Sequence, residues 1–399
     1  MCFLSKQIKG EKNKMCDKKD VLIYLYEQNL APCGGPNGVG YYLYEENQKI
    51  ESSNISFLLK ESKENEENNF IRWIKKFFRM FVLPPKDKNI SNDYKIIHFH
   101  STTEMYMARR SLKEFNGKTI LMSHTPVPTA FERYEVIKQK SPSWMKIPKS
   151  LLKMLQRADE FSFKKADYIV FPCEYAMEPY FSWWPEFSDI IATKKESIRY
   201  ITTGINPRVA KKTREEVCKE LGIPEDAFIC CFVGRHNEVK GYDQLKQLGE
   251  KLLNDNKNMY FIICGNEFPL KGLNHNRWIE VGFTKDPYSY ISAANVFILP
   301  NKETYFDLVA IEVLSLGKIM VASRTGGNKY YEKMNLNGVK LFDNITEASE
   351  IILEISKTSK ERINKMEEDN KQFYYQNLNA TNMYKQTEQL YESIIKDMR

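Results

Sequence analysis

Short apolar runs separated by longer amphipathic stretches recur from end to end of the chain. In the first half, Val21 to Glu27 (VLIYLYE), Ile55 to Leu59, Lys95 to His100 (KIIHFH), Thr119 to Ser123, a run inside Ala166 to Ala176, and Arg199 to Asn206 read as strands. In the second half the same reading falls on FICCFV from Phe228, on MYFIIC, on RWIEV, on Val296 to Pro300 (VFILP), and on the run before Gly326 and Gly327. VFILP is apolar throughout, as a strand buried on both faces requires. Between these runs the period turns helical. Leu245, Leu248 and Leu252 share one helix face, Glu312 opens a helical pattern closed by Gly317, Glu132 to Lys165 reads as one basic helical segment, and TNMYKQTEQLYESIIKDM reads as a terminal helix. Regular alternation of strand and helix predicts an α/β fold.

Length then divides the picture in two. A chain of 399 residues suits two domains of similar size. Pro207 and the charged run through Lys211 and Lys212 mark the linker, so the expected division is 1–206, 207–375, and a terminal helix over 376–399. Apolar residues make up 42% and charged residues 28%, and no apolar run approaches the length that spans a bilayer. The N-terminus has too short an apolar core and too many lysines for a secretory signal, which places the expected site of action in the cytoplasm. Eight cysteines without CxxC pairs read as small buried hydrophobes, and the five histidines do not cluster at ligand spacing, so no metal site is expected. A net charge of +7, without zinc-finger, RNP-type or arginine-rich signatures, does not argue for nucleic acid. An anionic membrane face or an anionic substrate accounts for it equally well.

Candidate chemistry gathers at strand ends. Gly34, Gly35 and Gly38 follow the first strand and would let backbone approach a phosphate or sugar. Arg235 and Lys240 bracket the loop after FICCFVG. Asn301 to Gly327, around which the chain is organised, places Glu303, Asp307 and Glu312 among Phe306, Leu308 and Val309. The amides near Asp307, Leu308 and Val309 then open a helix at the carboxyl end of a parallel strand, where open α/β sheets bind phosphates. His98 and His100 fall on one side of their strand, and His124 ends the next. Phe70 to Leu83 puts Arg72, Lys75, Lys76 and Arg79 on one stripe opposite Phe70, Trp73, Phe77 and Phe81. That pattern fits an interfacial membrane helix and also a helix docked on the protein's own sheet.

These residues resemble the donor site of retaining glycosyltransferases of family four, on the two-domain GT-B fold. The resemblance is specific from about Phe228 to Glu332 and elsewhere rests on the order of elements. It implies two Rossmann-like, doubly wound domains facing a central cleft, with a C-terminal helix crossing back to the first. Gly234, Arg235 and Lys240 resemble the family's diphosphate clamp, and Glu312 the glutamate that grips the ribose hydroxyls. The family's other glutamate stands eight positions earlier, where this chain has Thr304, with Glu303 one further back. Either residue could supply the sugar-side contact. GGPNGV, with Gly34 and Gly35, resembles the cleft-facing loop after the first strand, His124 a histidine beside the donor sugar, and His100 an acceptor-side histidine. The implied activity is metal-independent transfer, without a cofactor, from a UDP-sugar or another nucleotide sugar to a glycan, lipid-linked or protein acceptor, at a membrane's inner face if Phe70 to Leu83 is an anchor. The rival reading is a non-catalytic GT-B partner of another transferase, motivated by the displaced glutamate.

Overall fold

A computed structural model describes residues 19–25, 30–32, 35–59, 82, 84–125, 127–142 and 144–399. The apolar runs form two six-stranded sheets in which every pairing is parallel. The first holds β1 (Val21–Leu25), β2 (Ile55–Leu59), β3 (Ile96–Phe99), β4 (Lys118–Met122), β5 (Tyr168–Phe171) and β6 (Ile198–Tyr200) in the order β2-β1-β3-β4-β5-β6. The second holds β7 (Phe228–Val233), β8 (Met259–Cys264), β9 (Trp278–Gly282), β10 (Val296–Leu299), β11 (Met320–Ser323) and β12 (Val339–Phe342) in the order β12-β11-β10-β7-β8-β9. Both are doubly wound. The order reverses between β1 and β3 in the first sheet and between β7 and β10 in the second, and ligands bind open α/β sheets at the carboxyl side of such a switch.

Helices cover the sheets because the strands are apolar on both faces. Leu245, Leu248 and Leu252 of the helix Tyr242–Asp255 are fully buried. Thr213 and Glu216 form a reciprocal capping box at the start of the helix Arg214–Leu221. The terminal helix Ala380–Asp397 lies on the first unit: Thr381 donates to Glu46 at 3.0 Å, Tyr384 donates to Asn47 at 2.9 Å, and the Tyr391 hydroxyl meets His98 Nδ1 at 2.6 Å.

Three expectations are corrected. Glu132 to Lys165 is two helices, Thr129–Lys140 and Lys149–Lys165, because Pro142 and Pro148 interrupt the segment. The strand expected from Arg199 to Asn206 stops at Tyr200. Beyond it the chain leaves the sheet to pair with the returning C-terminal segment: Ile205 N–H donates to Leu378 O at 3.0 Å, Ala380 N–H to Ile205 O at 3.1 Å, and Tyr374 to Ile205 O at 2.8 Å. The terminal helix begins at Ala380, capped by Asn379, and 376 falls within the preceding helix Lys360–Asn377.

At this crossing a Cβ on Gly204 would stand 2.1 Å from the Asn379 carbonyl oxygen. Backbone cannot yield as a side-chain tip does, so we expect Gly204→Ala to cost about 1–3 kcal/mol, as overpacking does. A lowered urea midpoint would show it; an unchanged midpoint would mean that the crossing tolerates separation.

Candidate active site

The carboxyl ends of both sheets face one cleft, because segments leaving those ends touch across it. Glu178, beyond β5, accepts from the Gly326 amide at 2.9 Å and from Lys329 at 2.8 and 3.0 Å, beyond β11. The Trp183 indole N–H, also beyond β5, donates to Glu303, beyond β10.

On the second sheet the switch point presents two cations. Arg235 follows β7 and Gly234, is exposed, and has no side-chain partner among the described residues. The loop then tightens: the Asn237 amide donates to Arg235 O at 2.9 Å and the Lys240 amide to Asn237 Oδ1 at 3.0 Å. Gly241 (φ +65°) ends it, where a Cβ would stand 1.6 Å from the Pro300 carbonyl oxygen. This contact holds Lys240 beside the segment after β10, where its ammonium pairs with Asp307. Asn301 also donates to Asp307, at 2.8 Å. Burial pushes the Asp307 carboxyl up, but the Lys240 charge and the bonds from Lys240 and Asn301 outweigh it and leave it below its ordinary value. Asp307 is the N-cap residue of the helix Leu308–Ser315, so the Leu308 and Val309 amides lie in a first turn without helical carbonyl partners, and the Val309 amide helps to hold the Asp307 carboxyl low.

The turn from Asn301 to Asp307 settles which residue meets the cleft. Thr304 is buried, and its carbonyl accepts from the Gly327 amide at 3.2 Å. Its side chain is thus turned away from the cleft, whereas Glu303, half-buried, meets Trp183 across it. Burial raises the Glu303 carboxyl above its ordinary value, with the indole bond opposing. Phe306 also turns inward, 5.4 Å from the Tyr330 ring and 5.8 Å from the Tyr331 ring, so any donor contact at this position falls to its backbone.

Glu312 lies one turn inside the helix, its side chain 14% exposed. Its Oε1 accepts from Arg208 Nε at 3.1 Å, Arg208 Nη2 at 2.8 Å and the Tyr288 hydroxyl at 3.2 Å. Burial raises the carboxyl, with the Arg208 charge and these hydrogen bonds pulling it back.

On the first sheet, His100 Nδ1 and His124 Nε2 lie 2.8 Å apart, with the His98 ring 4.3 Å from that of His100. Burial lowers His98 to about 3 and His124 to about 4, and holds His100 well below its ordinary value. All three are neutral at pH 7, so they can orient a hydroxyl but offer no cation to a phosphate. Gly35 opens the helix Gly35–Gln48. Gly34 and the helix expected over Phe70 to Leu83, apart from Val82, lie outside the described residues. No group of three His, Cys, Asp or Glu suited to a metal occurs among the described residues, and no described helix is long and apolar enough to cross a membrane. A cavity of about 900 Å³ opens at the opposite, amino edge of β7 and β8. There Arg214 is tied to the Ala293 and Ala227 carbonyls and Lys318 to Glu367, while Lys257 and Lys360 also line the cavity, which lies at the end of the sheet away from the switch-point loops.

Trp183, Arg208, Tyr288, Glu178 and Lys329 were not singled out in the sequence. Arg208 stands in a charged linker that carries no motif, and Trp183 in an aromatic run (FSWWPEF) that reads as core.

Residues 213–373 match the family described as glycosyl transferases group 1. The match covers the stretch that holds Arg235, Lys240, Glu303 and Glu312. A D-inositol 3-phosphate glycosyltransferase of Corynebacterium efficiens is 30% identical over 138 residues, 31% of this chain and 32% of that protein. A glycosyltransferase of Methanocaldococcus jannaschii is 24% identical over 174 residues, 39% of this chain and 44% of that protein. The chain thus matches less than half the length of either relative. Sucrose-phosphate synthase of Thermosynechococcus elongatus superposes over 95% of this chain and all of its own (TM-score 0.63, 16% identity). Anabaena HepE, in complex with UDP and glucose, does so over 94% of this chain and 99% of its own (TM-score 0.63, 12% identity). The fold is GT-B.

Removing the Lys240 charge would leave Asp307 half of a mostly buried pair. We expect Lys240→Met to cost about 1–3 kcal/mol at pH 7, below the full penalty of a sealed pair because both groups keep some solvent contact. Asp307 has a lowered folded value, so the pair's contribution is present above the unfolded carboxylate range and is lost as pH falls. The deficit should therefore narrow only below about pH 4, as pH falls through the ordinary carboxylate value toward the lowered one. Urea midpoints at pH 7 and pH 3.5 check this; a deficit equal at both would contradict the pairing.

Proposed function

We propose that the cleft transfers a sugar, with retention of configuration and without a resident metal or cofactor, from a nucleoside diphosphate sugar to an acceptor hydroxyl on a glycan, a lipid-linked molecule or a protein. One observation carries the reading: Arg235, without a side-chain partner among the described residues, Lys240 and the first turn of the helix Leu308–Ser315 all lie at the topological switch of the second sheet. Donors so placed suit a leaving group that gains negative charge. UDP is the favoured nucleotide, in keeping with the UDP bound to HepE.

In this reading the diphosphate takes the place of Asp307 as the anion facing Lys240, while Arg235 closes from the solvent side. As the bond from the anomeric carbon to the phosphate oxygen breaks, the acceptor oxygen bonds to the same face. Its proton passes to a phosphate oxygen of the leaving group. Glu303 holds the sugar's hydroxyls once the sugar displaces the Trp183 indole, and His124 with His100 orients hydroxyls as a neutral pair. Action at the cytoplasmic face of an anionic membrane belongs to the same proposal. It is supported by the amphipathic pattern of Phe70 to Leu83 and by the exposed stripe Lys149, Lys153 and Arg157 on the helix Lys149–Lys165.

A second reading, a non-catalytic partner, is favoured by one finding: Lys240, Glu303 and Glu312 are each engaged by protein groups. Turnover separates the two. Misplacing a bound sugar by about 1 Å costs on the order of a hundredfold in rate. We therefore expect Glu303→Ala to lower transfer or donor hydrolysis by about that factor while leaving UDP affinity within about threefold, and Thr304→Ala to do less. A wild-type protein that binds UDP yet turns over no UDP-, GDP- or ADP-sugar with sugar, lipid-linked or protein acceptors would favour the partner.

A further inference from the structure

Arg208 belongs to neither sheet, yet its side chain meets elements of both units. It leaves the linker four residues beyond the Gly204 crossing, and its amide donates to Ser315 Oγ at 3.3 Å. Its guanidinium gives two bonds to Glu312 Oε1 and one to the Pro32 carbonyl at 3.2 Å. The same group lies 5.1 Å from the Tyr288 ring centre and 5.8 Å from that of Tyr42, whose hydroxyl donates to Pro32 O at 2.8 Å. A planar guanidinium fixed on its edges and beside two rings has little freedom left. Its target is correspondingly fixed. Glu312 Oε1 is filled by Arg208 and Tyr288, and Oε2 takes no donor among the described residues.

We propose that Arg208 is a positioning residue that anchors one oxygen of Glu312 so that the other is presented, ionised and in one orientation, to the ribose hydroxyls of the nucleotide. This rests on the nucleotide reading above and adds to it a residue that touches no substrate. A carboxylate accepts two hydroxyl hydrogens well only while it is charged and still, and Glu312 is too deeply buried to stay so unaided. Burial raises its carboxyl and the Arg208 charge is the largest opposing influence. Because Pro32 and Tyr42 belong to the first unit, the anchor also ties the ribose contact to the junction between the units.

The test compares UDP with 2′,3′-dideoxy-UDP by calorimetry in the wild type, Arg208→Met and Arg208→Lys. Hydrogen bonds to a charged acceptor are each worth about 1.5–3 kcal/mol, so the wild type should prefer UDP by about tenfold or more. Arg208→Met should reduce this preference to within about twofold, with affinity for the dideoxy compound nearly unchanged, and Arg208→Lys should restore part of it. A merely structural role would weaken both ligands alike and leave the ratio intact, which would overturn the inference. If the wild type shows no preference, it is the ribose assignment of Glu312 that fails, and the inference with it. Should Arg208→Met not fold, Tyr288→Phe removes a donor to the same oxygen and should lower the ratio several-fold; an unchanged ratio there also counts against the proposal.

Discussion

The chain crosses from the first sheet to the second beside the point where it crosses back, and the two passages are in backbone contact. Gly204 lies against Asn379, and Ile205 is bonded to Leu378, Ala380 and Tyr374. These bonds fix the linker's exit to the terminal helix, which is itself fastened to the helix Gly35–Gln48 through Glu46 and Asn47. A short linker thus acts as a seam. Four residues beyond Gly204, Arg208 inherits that position and carries it to Glu312. The registry of the cleft across the two units rests on this seam on one side and on Glu178 and Trp183 on the other.

Charged groups in the cleft are satisfied within the protein. Lys240 faces Asp307, Glu312 faces Arg208, and Glu178 faces Lys329 and the Gly326 amide. Leaving a mostly buried ion unpaired costs several kcal/mol, so a binding site built from such ions needs internal partners when empty. Under the proposed function the ligand exchanges partners. A diphosphate replaces Asp307 at Lys240, and a sugar replaces Trp183 at Glu303. Arg235 is different: it is exposed, without a side-chain partner among the described residues, and an open guanidinium costs little in solvent.

How much of this was legible depended on range. Both sheets could be read because strands buried on two faces need unbroken apolar runs, and FICCFV or VFILP has no other use for them. Arg235, Lys240 and Glu312 stood out because strand-end position and spacing are local. The break at Pro142 and Pro148 is local as well, but lies within a segment read as continuously helical and basic. Three things were not local. The early end of β6 came from pairing with residues more than 170 positions away, which no window of sequence contains. The inward placement of Thr304 goes with the Gly326 and Gly327 turn, whose backbone lies close against residues 304 and 305. Arg208 was hidden because its partners, Tyr42, Tyr288 and Glu312, are assembled only by the fold.

The central claim is that this cleft holds a nucleoside diphosphate on the cations after β7. Calorimetric titration of UDP, with GDP and ADP as alternatives, into the wild-type protein and into Arg235→Ala tests it most directly. Charge-assisted bonds of the usual strength predict saturable binding of one of the three by the wild type and a loss of about ten- to hundredfold in the variant. Absence of binding for all three, or equal affinity in both proteins, would contradict the account.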